Sequence, residues 1–132
     1  MNTKQIGDIS QIKVMTRLLQ KEYSVSVPFG DNQRYDLIFD DGSLKRVQCK
    51  TGRVKDNAVV FPTASTYAHR GGTRKTYTDD VDYFGVYCSD NDSVYMIPVE
   101  ELKDCKASAS LRLEPSKNNQ IKNVRFAEQF LF

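Results

Sequence analysis

Apolar residues near the start of the chain recur at helical spacing. Ile9, Ile12, Met15, Leu18 and Leu19 fall within one broad face at about 100° per residue, which predicts a helix from about Thr3 to Tyr23. Pro28 and Gly30 then punctuate the chain. From Arg34 the period shortens to two. Arg34-Tyr-Asp-Leu-Ile-Phe and Leu44-Lys-Arg-Val-Gln-Cys-Lys-Thr each alternate, with Asp41-Gly42-Ser43 between them as a turn, so the pair reads as a hairpin. A third strand is expected at about Ala58 to Phe61, followed by a polar, basic loop containing Gly71-Gly72. Two further strands, Asp82-Tyr-Phe-Gly-Val-Tyr-Cys and Ser93-Val-Tyr-Met-Ile-Pro-Val, flank an Asp-Asn-Asp turn. A short helix starts at Glu100, and a short strand around Leu111 precedes the tail. A helix, a central hairpin, more strands and late helical pieces make an α/β (α+β) domain. A length of 132 residues suits a single domain, 1–132.

The hairpin carries a second pattern. With a three-residue turn at Asp41–Ser43, Asp36 pairs opposite Gln48, and Asp36, Gln48 and Lys50 share one face. Leu37, Phe39, Val47 and Cys49 then share the other, which is cleanly apolar. A shift of one residue would set Asp36 against Val47 and spoil this separation. The same hydrophobic pattern that fixes the register therefore gathers a polar triplet. The helix has a matching irregularity: Lys4, Asp8 and Gln11 lie in the angular sector of Met15, Leu18 and Leu19. Its buried side is expected to turn polar toward the N-terminal end and to point at a polar site on the sheet.

Such groups suit phosphodiester hydrolysis. A strand carboxylate binds a hard cation such as Mg²⁺ (or Mn²⁺), and an oxygen ligand two residues before a lysine on the next strand completes the cradle. The cation stabilises charge on phosphate oxygens and acidifies a bound water, while the lysine adds a point charge beside them. The overall charge of +2 does not by itself indicate nucleic acid, but its distribution is uneven. From Thr63 to Thr78 the chain has Arg70, Arg74, Lys75 and His69 and no acidic residue. Three scattered cysteines suit neither a disulfide framework nor a zinc site. With no apolar run at the N-terminus and no stretch of membrane-spanning length, a soluble, cytoplasmic protein without a membrane partner is expected.

The residues Tyr35-Asp36 and Gln48-Cys49-Lys50, preceded by a helix with polar positions, resemble the PD-(D/E)xK nuclease superfamily. The wider text sharpens the likeness: Gly7-Asp8-Ile9, Val27-Pro-Phe-Gly-Asp-Asn-Gln-Arg-Tyr-Asp, Val47-Gln-Cys-Lys-Thr, Arg70-Gly-Gly and Tyr77-Thr-Asp-Asp-Val-Asp-Tyr-Phe. Together these resemble homing endonucleases encoded in cyanobacterial group I introns and their bacterial relatives, over roughly Gly7 to Pro115. The resemblance implies a restriction-endonuclease-like core, a mixed β-sheet flanked by helices. It implies a catalytic set of Asp36, Gln48, Lys50 and Gln11, with Asp36, Gln48, Cys49 and Asp8 as candidate metal ligands. Gln48 stands where the motif is acidic, and Gln11 stands where superfamily members often carry a compensating glutamate. Two neutral amides leave less charge to hold a metal, which implies weakened or absent activity. A natural variant and a deliberate glutamate-to-glutamine change both fit.

The resemblance further implies a homo-oligomer, dimer or tetramer, cutting double-stranded DNA at a long pseudo-palindromic site. Arg53, Lys55, His69, Arg70, Arg74 and Lys75 are the candidate DNA contacts, Arg suiting guanine and Lys suiting phosphate. Arg34, beside Asp36, is instead a candidate salt-bridge partner. Phe126, Phe130 and Phe132 place much aromatic surface at one chain end, for the core or, the preferred expectation, for another subunit. The alternatives are a Holliday-junction resolvase or restriction-type nuclease, which share the core, and a catalytically silent DNA-binding module.

Overall fold

The computed structural model of the chain describes residues 1–64, 80–114 and 124–132. Helix α1 (Thr3–Gln20) begins at Asn2, whose side chain accepts the Gln5 N–H while the Gln5 side chain accepts the Asn2 N–H. This reciprocal cap satisfies two backbone donors and fixes where the helix starts. Its buried stripe is Ser10, Val14 and Leu18, spaced four apart. The expected apolar face is thereby corrected: Ile9, Ile12 and Leu19 are exposed. At about 100° per residue those three project roughly 140° or more away from Val14.

Strands β1 (Ser24–Ser26), β2 (Leu37–Asp40), β3 (Leu44–Lys55), β4 (Ala58–Pro62), β5 (Tyr83–Cys88), β6 (Ser93–Pro98) and β7 (Ser108–Arg112) form one sheet. The path β1-β2-β3-β4-β7 is antiparallel throughout. Strand β5 joins β3 in parallel and β6 joins β5 antiparallel, so the sheet is mixed. Strand β3 is its hub. The β2–β3 turn is the expected three residues, with Gly42 at φ 111°, and Leu37 sits opposite Val47 as the hydrophobic pattern requires. Among the described residues α1 is the one α-helix. Val99–Leu102, expected as a helix, and Ala127–Phe130 in the tail are single 3₁₀ turns.

The sheet has an apolar layer on each face. Val14 and Leu18 of α1 pack with Leu37, Phe39, Val47, Val94 and Met96 on one side. Val59, Phe61, Phe84, Val86, Ile97, Leu102 and Leu111 fill the other. Helix α1 packs tightly over Gly85: a Cβ there would lie 2.8 Å from Val14 Cγ1 and 3.1 Å from Val47 Cγ1. The chain end serves both layers. Phe130 packs against the second, while Phe132 stacks on Tyr23 at 6.4 Å and packs against the first. The Phe132 N–H donates to the Val94 carbonyl at 2.9 Å. These two half-buried rings thus pack against the core of their own chain.

Candidate active site

Strand β2 begins at Leu37, so the backbone ladder beside β3 stops one residue short of Asp36. The Asp36 N–H still donates to the Val47 carbonyl at 2.8 Å. Beyond it the side chain takes over, and Asp36 Oδ2 accepts the Cys49 N–H at 2.7 Å. A carboxylate placed at a strand end thus satisfies a backbone donor that would otherwise lack a strand partner. Burial pushes the Asp36 carboxyl above its ordinary value, while the Cys49 N–H and the Lys50 charge pull it partly back.

The unbroken parallel register Val47–Gly52 with Tyr83–Cys88 makes side chains alternate cleanly along β3. Val47, Cys49 and Thr51 therefore face α1, and Gln48 and Lys50 face the opposite side, next to Phe84 and Val86. The expectation that the polar end of the helix looks onto the polar triplet across one sheet face is corrected. The helix covers the apolar face, and contact is made at its flank. Gln11 reaches past the start of β2, and its Nε2 donates to the Asp36 carbonyl at 3.2 Å. One residue earlier, buried Ser10 shares a 2.6 Å hydrogen bond with Thr51 of β3. These two contacts set the helix height over the site.

The remaining candidates divide. Lys4, Gln11 and Asp36 line one cleft of about 300 Å³ with Val27, Pro28, Gly30, Asp31, Gln33 and Tyr35 of the preceding loop. Asp8 is exposed and pairs with Lys4 at 3.5 Å, outside that lining. It projects about 120° from Val14 at helical spacing, too far round to face the sheet. Cys49 turns its side chain into the α1 layer, and burial, with the Asp36 charge second, pushes its thiol well above the ordinary value. A thiol so held stays protonated and is a poor ligand, so only its backbone oxygen fits a hard cation. Arg34 forms its ion pair with Asp80, at 2.8 Å, rather than with Asp36. Arg53 and Lys55 are exposed at the far end of β3. His69, Arg70, Arg74 and Lys75 lie outside the described residues. Sequence reasoning missed Asp31, a second carboxylate lining the cleft; it stands in the quoted Val27–Asp36 segment but has no strand periodicity to mark it.

Among the described residues no three His, Cys, Asp or Glu side chains cluster. The oxygen donors around Asp36 are its own half-buried carboxylate, the exposed Asp31 carboxylate that lines the same cleft, and neutral amide or backbone oxygens. That set fits Mg²⁺, which keeps several waters and is held by one or two carboxylates together with substrate phosphates. It would not fit zinc, which takes nitrogen and sulfur ligands in closed tetrahedra. A cation beside Asp36 would also offset the burial that raises its carboxyl.

Comparison with known proteins agrees with this geometry. The family profile described as PD-(D/E)XK endonuclease matches residues 1–132. Among solved structures, a bacterial homing endonuclease, I-Ssp6803I, superposes with a TM-score of 0.78 at 26% identity, covering 99% of this chain and 89% of that one. The restriction-endonuclease-like, mixed α+β architecture is thereby established. No curated protein sequence matches.

Proposed function

The chain belongs to the PD-(D/E)XK endonuclease family, and from that premise we propose that it is a site-specific, divalent-cation-dependent double-strand DNA endonuclease of the homing type. The observation that carries the reading is the Asp36 carboxylate, fixed by the Cys49 N–H at 2.7 Å and lying within the electrostatic reach of Lys50. Asp36, with amide oxygens of Gln48 and Gln11, would hold Mg²⁺ or Mn²⁺. When bound, the cation supplies charge neutralisation at the scissile phosphate and an acidified water. Lys50 adds a fixed positive charge beside the phosphate and the attacking water. The hydrogen bond from Gln11 to the Asp36 carbonyl steadies the backbone that carries the carboxylate. Two-strand cutting at a long near-palindrome calls for a homo-oligomer that presents two such sites. Arg53 and Lys55, exposed on β3, and His69, Arg70, Arg74 and Lys75 are proposed DNA contacts.

A second reading has an observation in its favour. Among the described residues the acidic groups do not cluster in threes, and both Gln11 and Gln48 are uncharged. A catalytically silent DNA-binding module would look the same. The two readings separate in one experiment. The chain and its Gln11→Glu variant are incubated with a randomised duplex library and Mg²⁺, and the cut ends are sequenced. Cutting at a long near-palindrome by the variant, with or without cutting by the parent, is the expected result. If both fold and bind the library but neither cuts, the silent module replaces the endonuclease.

A further inference from the structure

The segment Val27–Asp36 contains more than its final aspartate uses. Val27, Pro28 and Gly30 belong to the wall of the Asp36 cleft, but Phe29, between them, does not line it. Its ring is 103% exposed, and the adjacent Val27 is 55% exposed. Phe29 belongs to neither apolar layer of the sheet. A lone exposed apolar residue is ordinary on a protein surface. Here the backbone is shaped to present it. Pro28 fixes its own φ, and Gly30 takes φ +82°, a left-handed turn that side chains resist. The ring is therefore held out at the lip of a polar cleft, where leaving it in water costs free energy that contact with a flat apolar surface would recover.

We propose that Phe29 is a stacking wedge for duplex DNA, inserting against a base step beside the scissile phosphate when the backbone lies along the Asp36 cleft. The occupant follows from position: the wall that carries Phe29 also carries Asp36, and Lys4 lines the same cleft with a cation that suits a phosphate. Apolar side chains used this way part a base step and hold the duplex bent. Phe29 would thus set where along the groove the strand is held. This rests on the endonuclease reading above.

The test compares the chain with its Phe29→Ala, Phe29→Trp and Lys4→Ala variants. Each is titrated against a mixed-sequence duplex carrying 2-aminopurine, over a salt series, with Mg²⁺ and with chelator. Phe29→Ala is expected to weaken binding about tenfold, the scale of one lost stacking contact. It should leave the slope of log affinity against log salt unchanged and abolish the rise in 2-aminopurine emission. Lys4→Ala should instead reduce that slope by about one, and Phe29→Trp should retain affinity and emission. If the parent binds and Phe29→Ala binds equally well, the wedge is wrong while the endonuclease reading stands. If Phe29→Ala changes the oligomeric state in sedimentation, the ring serves a second copy of the chain and the wedge is again wrong. If the parent binds no duplex under any condition, the endonuclease reading falls with it.

Discussion

The Asp36 carboxylate accepts the Cys49 backbone N–H at 2.7 Å. One side chain thereby closes the β2–β3 ladder at its end and delivers a negative charge to a cleft. The two roles pull in opposite directions. Closing the ladder needs only an acceptor, which a neutral amide oxygen supplies as well. Holding a cation needs the charge, and burial makes that charge costly. A residue chosen for folding alone would be Asn.

That conflict has a pH signature. Burial raises the Asp36 carboxyl above its ordinary value, and the Cys49 N–H and Lys50 offset it only in part. Between the ordinary and the raised value, the folded chain keeps a proton that the unfolded chain has released. The cost to stability is absent below the ordinary carboxylate range, grows as pH rises through it, and is full above the raised value. Asp36→Asn should therefore melt higher than the parent near neutral pH, with the advantage shrinking toward acid. Mg²⁺ at a hundredfold excess over its dissociation constant should stabilise the parent by about 2.7 kcal/mol and leave Asp36→Asn unmoved. Thermal melts across pH, with and without Mg²⁺, decide both points. A variant less stable than the parent at neutral pH would mean that Cys49 requires a charged acceptor.

Arg34 and Asp80 tie the approach to Asp36 to the approach to β5. Their ion pair is 2.8 Å long, with Arg34 more enclosed than Asp80. Partial exposure limits its worth, and Arg34→Ala should cost about 0.5–1 kcal/mol. If the pair acts as a positioning strut for Asp36, cleavage should lose turnover more than DNA affinity. The double variant Arg34→Ala/Asp80→Ala should then be no worse than either single one, and the exchanged pair Arg34→Asp/Asp80→Arg should recover part of the loss. Losses that simply add in a double-mutant cycle would show that the two residues act separately.

The hairpin register was legible because β periodicity and turn length constrain each other. The Asp41-Gly42-Ser43 turn and the apolar alternation admit one register, with Leu37 opposite Val47, and the observed β2–β3 pairing follows it up to that residue. The side of the helix was not legible. Ser10 is buried because Thr51, 41 residues away, supplies its hydrogen-bond partner, and no local pattern announces such a partner. Three exposed apolar residues, Ile9, Ile12 and Leu19, outweigh the two that matter, Val14 and Leu18. The short polar strand Ser24–Ser26 was missed for a similar reason, since pairing with β2 and not its own composition makes it a strand. The place of Phe132 was not legible either, because it stacks on Tyr23, over a hundred residues earlier.

The height of α1 over the sheet can be tested directly at Gly85, where the space beneath Val14 leaves no room for a Cβ. A Cβ on Gly85 would come within 2.8 Å of Val14 Cγ1, 3.1 Å of Val47 Cγ1 and 3.3 Å of Met96 Sδ. Val14 and Val47 are fully buried and branched, so neither can swing aside without disturbing the layer around it. Gly85→Ala should destabilise the chain by roughly 1–3 kcal/mol, the usual range for overpacking a core. It should do so by lifting α1, which weakens the Ser10–Thr51 bond and draws Gln11 away from Asp36. Adding Val14→Ala opens the space on the helix side. The double variant should then regain cleavage relative to Gly85→Ala, even though a smaller side chain has been put into the core. Recovery of stability without recovery of cleavage would show that helix height does not govern Asp36. Failure to recover either would place the strain of Gly85→Ala at Val47 and within the sheet.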